Sequence, residues 1–246
     1  MTKKKIIGVI PARMASSRFY GKPLAKICGK EMIQWVYENS KASTILKDIY
    51  IATDHDEIAA FCRKEDIAYI MTSPDHKNCS ERTDEVCGIL GADFVVEIQG
   101  DEPVLTADEI DSFITRSFEY KNFDVTLSYT DVAPELAENK QIVKLVLDKD
   151  SRALFFSRSC IPQNFKLKHV NYYKQIGLYL WNAAALKRFS ETPVGYLESI
   201  EDTHTLRLVE NHFDAIMVYS PKDTIGVDGP GDIAKVEEFI RQGKLS

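Results

Sequence analysis

Three cations on one short loop carry the strongest chemical signal in this chain. Arg13, Arg18 and Lys22 lie five and four residues apart within Pro11-Ala12-Arg13-Met14-Ala15-Ser16-Ser17-Arg18-Phe19-Tyr20-Gly21-Lys22-Pro23-Leu24, directly after the apolar run Ile6-Ile7-Gly8-Val9-Ile10. A nucleoside triphosphate brings about four negative charges, and displacement at its α-phosphate builds more on the departing pyrophosphate; catalysis there is positioning and charge stabilisation. A small-residue loop between a strand and a helix offers backbone N–H groups to the same anion. Surface charge on a connecting loop is the plain alternative for any one of these residues. Three at one strand–helix junction favour an anion site.

Two carboxylates extend the reading. Asp101 follows the apolar stretch Val95-Val96-Glu97-Ile98 in the turn Gln99-Gly100-Asp101-Glu102-Pro103, and Asp228 sits in Ile225-Gly226-Val227-Asp228-Gly229-Pro230. The C-terminal ends of strands are the ligand edge of an open α/β sheet. A carboxylate facing a triphosphate there repels it unless a cation intervenes, and Mg²⁺ held by one or two carboxylates plus phosphate oxygens meets that need. An Asp after a strand is otherwise a turn former. The chain has neither the Gly-x4-Gly-Lys-Ser/Thr P-loop nor the Gly-x-Gly-x-x-Gly fingerprint.

Composition narrows the class. The first thirty residues hold eight Lys and Arg and no acid, whereas the other 216 hold 23 Lys and Arg against 37 Asp and Glu, for a net charge of −6. An acidic chain with pI near 5.5 lacks the broad basic face of a nucleic-acid binder. Five scattered cysteines without a Cys-x-x-Cys pair fit free thiols in a reducing cytoplasm. The apolar stretch after Lys3-Lys4-Lys5 is too short for a signal peptide, and no run approaches the roughly 20 residues of a membrane span.

The elements that must position these residues alternate in the first half. Apolar patterning predicts strands over 5–10, 48–53, 67–71 and 93–98, and helices beginning at 32 and covering 56–63, 82–90 and 107–120. Such alternation implies right-handed βαβ units and an α/β fold with a Rossmann-like, mostly parallel sheet. Beyond, strands are expected over 124–129, 141–147, 172–181 and 215–219, with helices over 186–190, 198–211 and 233–241. The chain reads as a single domain over 1–246 with a β-rich insertion at about 130–175, a candidate lid or dimerisation region. Trp35 and Trp181 are expected in the core, and His55, His76, His169 and His212 at the surface or in caps.

The order of these motifs resembles one family. Pro11-Ala12-Arg13, Arg18, Gly21-Lys22-Pro23-Leu24, Ala52-Thr53-Asp54, Gln99-Gly100-Asp101-Glu102-Pro103, Val143-Lys144 before Leu147-Asp148, Phe156-Ser157-Arg158 with Ile161-Pro162, and Gly226-Val227-Asp228 are similar to the 3-deoxy-manno-octulosonate (Kdo) cytidylyltransferases, or CMP-Kdo synthetases, over nearly the whole chain. The resemblance implies a nucleotidyltransferase-type fold and attack of a sugar acid's anomeric hydroxyl on CTP, for lipopolysaccharide or capsule synthesis. It assigns Ala12, Arg13, Arg18, Lys22, Thr72, Arg82 and Asp101 to the nucleotide. Arg13, Arg18, Lys22 and Asp101 become the catalytic set, and Asp101 and Asp228 the Mg²⁺ ligands. Gln99, Arg158, Gln175, Tyr179, His204 and Thr205 fall to the sugar, and a cytosine pocket spans Met71-Thr72 through Glu81-Arg82. A homodimer and a cytoplasmic enzyme are implied as well.

The sugar side departs from the family pattern. Lys-His-x-Gly-Ile-Tyr is replaced by Lys174-Gln175-Ile176-Gly177-Leu178-Tyr179, and Leu-Glu-Gln-Leu-Arg by Thr203-His204-Thr205-Leu206-Arg207. Gly-Thr-Glu-Arg becomes Cys79-Ser80-Glu81-Arg82, and Thr-Pro-Glu-Asp becomes Gly229-Pro230-Gly231-Asp232. Sites that bond substrate hydroxyls discriminate strongly when a partner group changes. Two readings therefore stand beside an ordinary Kdo enzyme. One is an altered acceptor: an 8-amino or deoxy octulosonate, another sugar acid, or a different small carboxylate or phosphonate. The other is a non-catalytic nucleotide-binding regulator.

Overall fold

The computed structural model describes residues 4–15, 19–166 and 170–243. In chain order the elements are β1 (Ile6–Ala12), a 3₁₀ turn (Lys22–Leu24), β2 (Lys26–Ile27), β3 (Lys30–Glu31), α1 (Met32–Lys41), β4 (Ile49–Thr53), α2 (Asp56–Lys64), β5 (Tyr69–Met71), α3 (Cys79–Leu90), β6 (Phe94–Ile98) and α4 (Ala107–Ser117). Then come β7 (Val125–Val132), α5 (Pro134–Ala137), β8 (Lys144–Leu147), β9 (Ala153–Ser157), β10 (Tyr172–Asn182), α6 (Ala183–Glu191), α7 (Tyr196–Glu201), α8 (Leu206–Glu210), β11 (Ala215–Tyr219) and α9 (Pro230–Arg241).

The main sheet runs β11-β7-β10-β6-β1-β4-β5, with β8 on β10 and β9 on β8. β6, β1, β4 and β5 are mutually parallel, β11 is parallel to β7, and β10 is antiparallel to both its neighbours on this path. The expected mostly parallel α/β sheet is therefore present, with one reversed strand near its middle. Reversal places the start of β10 beside the C-terminal ends of β6 and β1.

Alternation along the strands divides the core between the two faces. Ile10, Ile51, Val96, Ile98 and Leu178 pack with Ile33 and Val36 of α1 and Ile110 and Phe113 of α4. Val9, Ala52, Val95, Leu127 and Trp181 pack with Val86 of α3, Phe189 of α6 and Leu206 of α8. Both faces of β1 and β6 are covered, so their sequences read as apolar runs.

Three expectations change. The helix expected over 198–211 is two helices: Asp202 is left-handed at φ 49° and ends α7, and Thr203, His204 and Thr205 form the turn into α8. Asp tolerates that conformation, and Thr is a weak helix former. The strand expected over 141–147 is shorter, starting at Lys144, and β9 is a hairpin partner that the patterning does not announce. Finally, only β8 and β9 of the 130–175 segment lie beside the main path; β10, which starts at Tyr172, belongs to the central sheet.

Candidate active site

A cavity of about 460 Å³ opens at the C-terminal edge of the parallel strands. Its wall includes Ala12 and Arg13 after β1, Lys22, Gln99 and Asp101 after β6, Arg82 of α3, Gln175 and Tyr179 of β10, Arg158 after β9, His204 between α7 and α8, and Asp228 before α9. Eleven residues assigned from the sequence thus share one space. Arg18 lies outside the described residues.

Close backbone contacts build this edge. A Cβ at Gly100 would sit 3.0 Å from the Pro11 carbonyl oxygen, and one at Gly177 would sit 2.6 Å from Gln99 Cβ and Cγ. Glycine at these two positions lets the ends of β1, β6 and β10 touch. Gln99 N–H donates to the Gly177 carbonyl (2.8 Å), and the β10–β7 register slips between Gln175 and Tyr179. Val227 N–H donates to the Asp101 carbonyl (2.9 Å), which seats the Asp228 loop on the Asp101 turn. That loop is held from behind by α9, whose Val236 packs with Val227, Ile27 and Met32. Two acids 127 positions apart reach one cavity through this docking.

The donor end is cationic and paired. Lys22 Nζ lies 2.7 Å from Asp101 Oδ2 and 2.9 Å from the Val227 carbonyl. Arg82 is buried, with Nη2 3.0 Å from Asp54 Oδ2 and Nη1 donating to Thr72 Oγ1. Thr72 therefore does not line the cavity but fixes Arg82, and Asp54 explains the Ala52-Thr53-Asp54 motif in the same way. Met71 is exposed and away from the cavity, so the expected pocket between 71 and 82 is formed by its later part, His76, Lys77, Asn78, Cys79 and Arg82.

The acceptor end is an interlocked polar cluster. Gln175 Nε2 donates to Tyr179 Oη, and Thr205 Oγ1 donates to Gln175 Oε1 at 3.3 Å. Thr205 is buried behind Gln175 and acts through it. Arg158 turns its guanidinium onto backbone carbonyls, including those of Glu201 (3.0 Å) and Asp202 (2.8 Å), so it pins the α7 C-terminus at the cavity rim. Lys144 likewise donates to the carbonyls of Asn139, Ile142 and Arg158. Buried Arg207 bonds Glu198 through Nε and Nη2, both at 2.7 Å, and reaches Glu81 at 3.2 Å. This ion network holds α3, α7 and α8 together around His204.

Glu97 is the residue the sequence reading passed over. It is fully buried in β6, donated to by Gln99 Nε2 (2.7 Å) and Trp181 Nε1 (3.2 Å). Burial, then the adjacent Cys79, pushes its carboxyl well above the ordinary range. Burial lowers the His204 imidazole against the pull of Glu97, which favours the neutral ring. An acid inside Val95-Val96-Glu97-Ile98 was the available signal, because a charged residue in a strand buried on both faces needs partners. Of the histidines set aside, His55 caps α2 through Nδ1, whereas His76 lines the cavity with Nε2 2.6 Å from Glu85. His169 lies outside the described residues. Trp181 is in the core, as expected.

Asp101 and Asp228 offer hard carboxylate oxygens beside Lys22 and Arg13, a donor set that suits Mg²⁺ better than a softer ion.

A family model described as cytidylyltransferase matches residues 7–218. The 3-deoxy-manno-octulosonate cytidylyltransferase of Acidobacterium capsulatum is 37% identical, covering 99% of this chain and 100% of the relative; that of Bacteroides thetaiotaomicron is 40% identical, covering 96% and 98%. A solved CMP:2-keto-3-deoxy-manno-octonic acid synthetase complexed with CTP superposes with a TM-score of 0.91 at 30% identity, over 98% of this chain and 100% of that one. A cytidylyltransferase from Leptospira borgpetersenii shares the fold at TM-score 0.67 and 13% identity, covering 98% and 88%.

Proposed function

This chain belongs to the cytidylyltransferase family, and on that premise we propose that it transfers CMP from CTP to the anomeric hydroxyl of a Kdo-like sugar acid, releasing pyrophosphate, in lipopolysaccharide or capsule synthesis. The observation that carries the reading is the single cavity that joins a cationic end at Arg13, Lys22 and Arg82 to a polar end at Gln99, Gln175, Tyr179 and His204.

Arg13 and Lys22 bind the phosphates, and Lys22 exchanges its Asp101 contact for the charge that gathers on the leaving pyrophosphate. Arg82 is held rigid by Asp54 and Thr72 and faces the nucleotide. Gln175, Tyr179 and His204 orient the acceptor so that its hydroxyl approaches the α-phosphorus; alignment of that kind supplies much of the rate. Mg²⁺ held by Asp101 and Asp228 would lower the hydroxyl's pKa and offset phosphate charge. Leu136, Leu154 and Phe165 are exposed on the segment joining β7 to β10, which supports a homodimer through that region. No helix among the described residues is long and apolar enough to cross a membrane, which is compatible with the cytoplasmic location we propose.

Pyrophosphate release from CTP and Mg²⁺ across a panel containing Kdo, its 8-amino analogue, other sugar acids and small phosphonates tests the reading. Turnover with an octulosonate supports it. Turnover only with a phosphonate, or CTP binding without turnover, overturns it, the latter in favour of a regulator.

A further inference from the structure

Three metal-ligating side chains meet at the acceptor end of the cavity, apart from the Asp101–Asp228 pair. Cys79 Sγ, a Glu97 carboxylate oxygen and a His204 ring nitrogen all lie within 4.8 Å of one another. Sγ and Nε2 are 3.7 Å apart. Tetrahedral zinc, at about 2.3 Å from thiolate and about 2.0–2.1 Å from imidazole, sets those two ligands about 3.5 Å apart. The three residues come from different elements: the first turn of α3, the middle of β6 and the α7–α8 turn. Cys79 and His204 are 125 positions apart in the sequence, so the convergence is a tertiary feature.

The surroundings suit an ion. Trp181 Nε1 bonds one Glu97 oxygen at 3.2 Å and orients the carboxylate, as an outer partner of a metal ligand does. The other Glu97 oxygen and Cys79 Sγ both receive the Gln99 amide nitrogen, at 2.7 and 3.0 Å. A donor already stands where positive charge is wanted, and swinging that amide aside opens the space. One thiolate and one carboxylate balance a divalent cation in a buried position. Thiolate, imidazole and carboxylate together favour a zinc-class ion over Mg²⁺. Cys79 and His204 are also two of the positions at which this chain departs from the family motif.

We propose that Cys79, Glu97 and His204 bind one zinc-class divalent ion, with its fourth position open to an oxygen of the acceptor. The ion's arrival sends the thiol proton, and any proton on Glu97, to solvent. The three-residue site stands without the functional reading; only the acceptor at the fourth position rests on it.

Titrating the full-length protein with Co²⁺ as the spectroscopic probe tests the site without turnover. One equivalent is expected to raise a thiolate-to-cobalt charge-transfer band that Zn²⁺ then bleaches. Cys79→Ser should abolish the band, and His204→Gln should weaken Co²⁺ binding by at least about tenfold. Asp101→Asn with Asp228→Asn should keep the whole spectrum. Absence of the band in the native sequence, or its survival in Cys79→Ser, overturns the proposal. Should a variant fail to fold, zinc X-ray absorption on the unmodified protein decides: one sulfur at about 2.3 Å supports the site, and a shell of nitrogen and oxygen alone overturns it.

Discussion

At the donor end, Arg13, Lys22 and Asp101 stand on loops that leave parallel strands, and the Lys22–Asp101 contact can be exchanged for phosphate or metal. At the acceptor end, Gln175 bonds both Tyr179 and Thr205, and Glu97 and Arg207 are buried in networks that span β6, β10, α3, α7 and α8. The donor end is therefore a set of replaceable charges, whereas the acceptor end is held by packing. Changes at the first should alter rate with little effect on folding. Changes at the second should alter stability and selectivity together.

Arg207→Leu strains this contrast most. It strands the Glu198 carboxylate and should cost about 3–5 kcal/mol in denaturant unfolding; a cost below about 1 kcal/mol would mean that the α7–α8 turn is not held by this network. Asp101→Asn should lower turnover by about 10²–10³ in pyrophosphate release, with an unfolding midpoint close to that of the parent. A large loss of stability instead would place Asp101 among the structural groups.

Glu102 sits at the boundary between the two ends. Burial, then the Asp101 charge, raises its carboxyl from 4.5 to about 7, and among the described residues its Oε2 has no hydrogen-bond partner. The folded state therefore holds a proton that the unfolded state gives up. The contribution of Glu102 to stability is fully present below about pH 4.5, is lost as pH rises toward 7 and levels off above it. Glu102→Gln should remove that slope, recovering on the order of 3 kcal/mol at pH 8 by urea unfolding. An unchanged slope would show that another group sets it.

The smallest expected effect concerns selectivity. Gln175→His should change kcat/KM for the acceptor by about tenfold, a shift of about 1.4 kcal/mol, while the calorimetric Kd for CTP stays within about twofold. Equal losses on both substrates would erase the division between the ends.

The donor end was legible because its chemistry is local. Arg13 and Lys22 share one loop, and Gln99-Gly100-Asp101 ends a strand whose apolar run is unmistakable. The acceptor end was legible only in part. Gln175, Tyr179 and His204 line the cavity, but Thr205 is buried behind Gln175, and the helix expected over 198–211 breaks where His204 turns into the cavity. Glu97 was hidden by its own strand, since period and propensity mark the strand and say nothing about which polar partners will meet the acid.

The sequence by itself determined the strand–helix alternation of the first half, the cationic loop and the two carboxylates after apolar runs. Each of these depends on residues within a few positions of one another, where backbone geometry fixes the outcome. Only the tertiary structure decided that β10 runs backward beside β6, that the Asp228 loop docks on the Asp101 turn, and that Cys79, Glu97 and His204 converge. Those contacts join residues up to 126 positions apart, and their geometry follows from packing both faces of one twisted sheet.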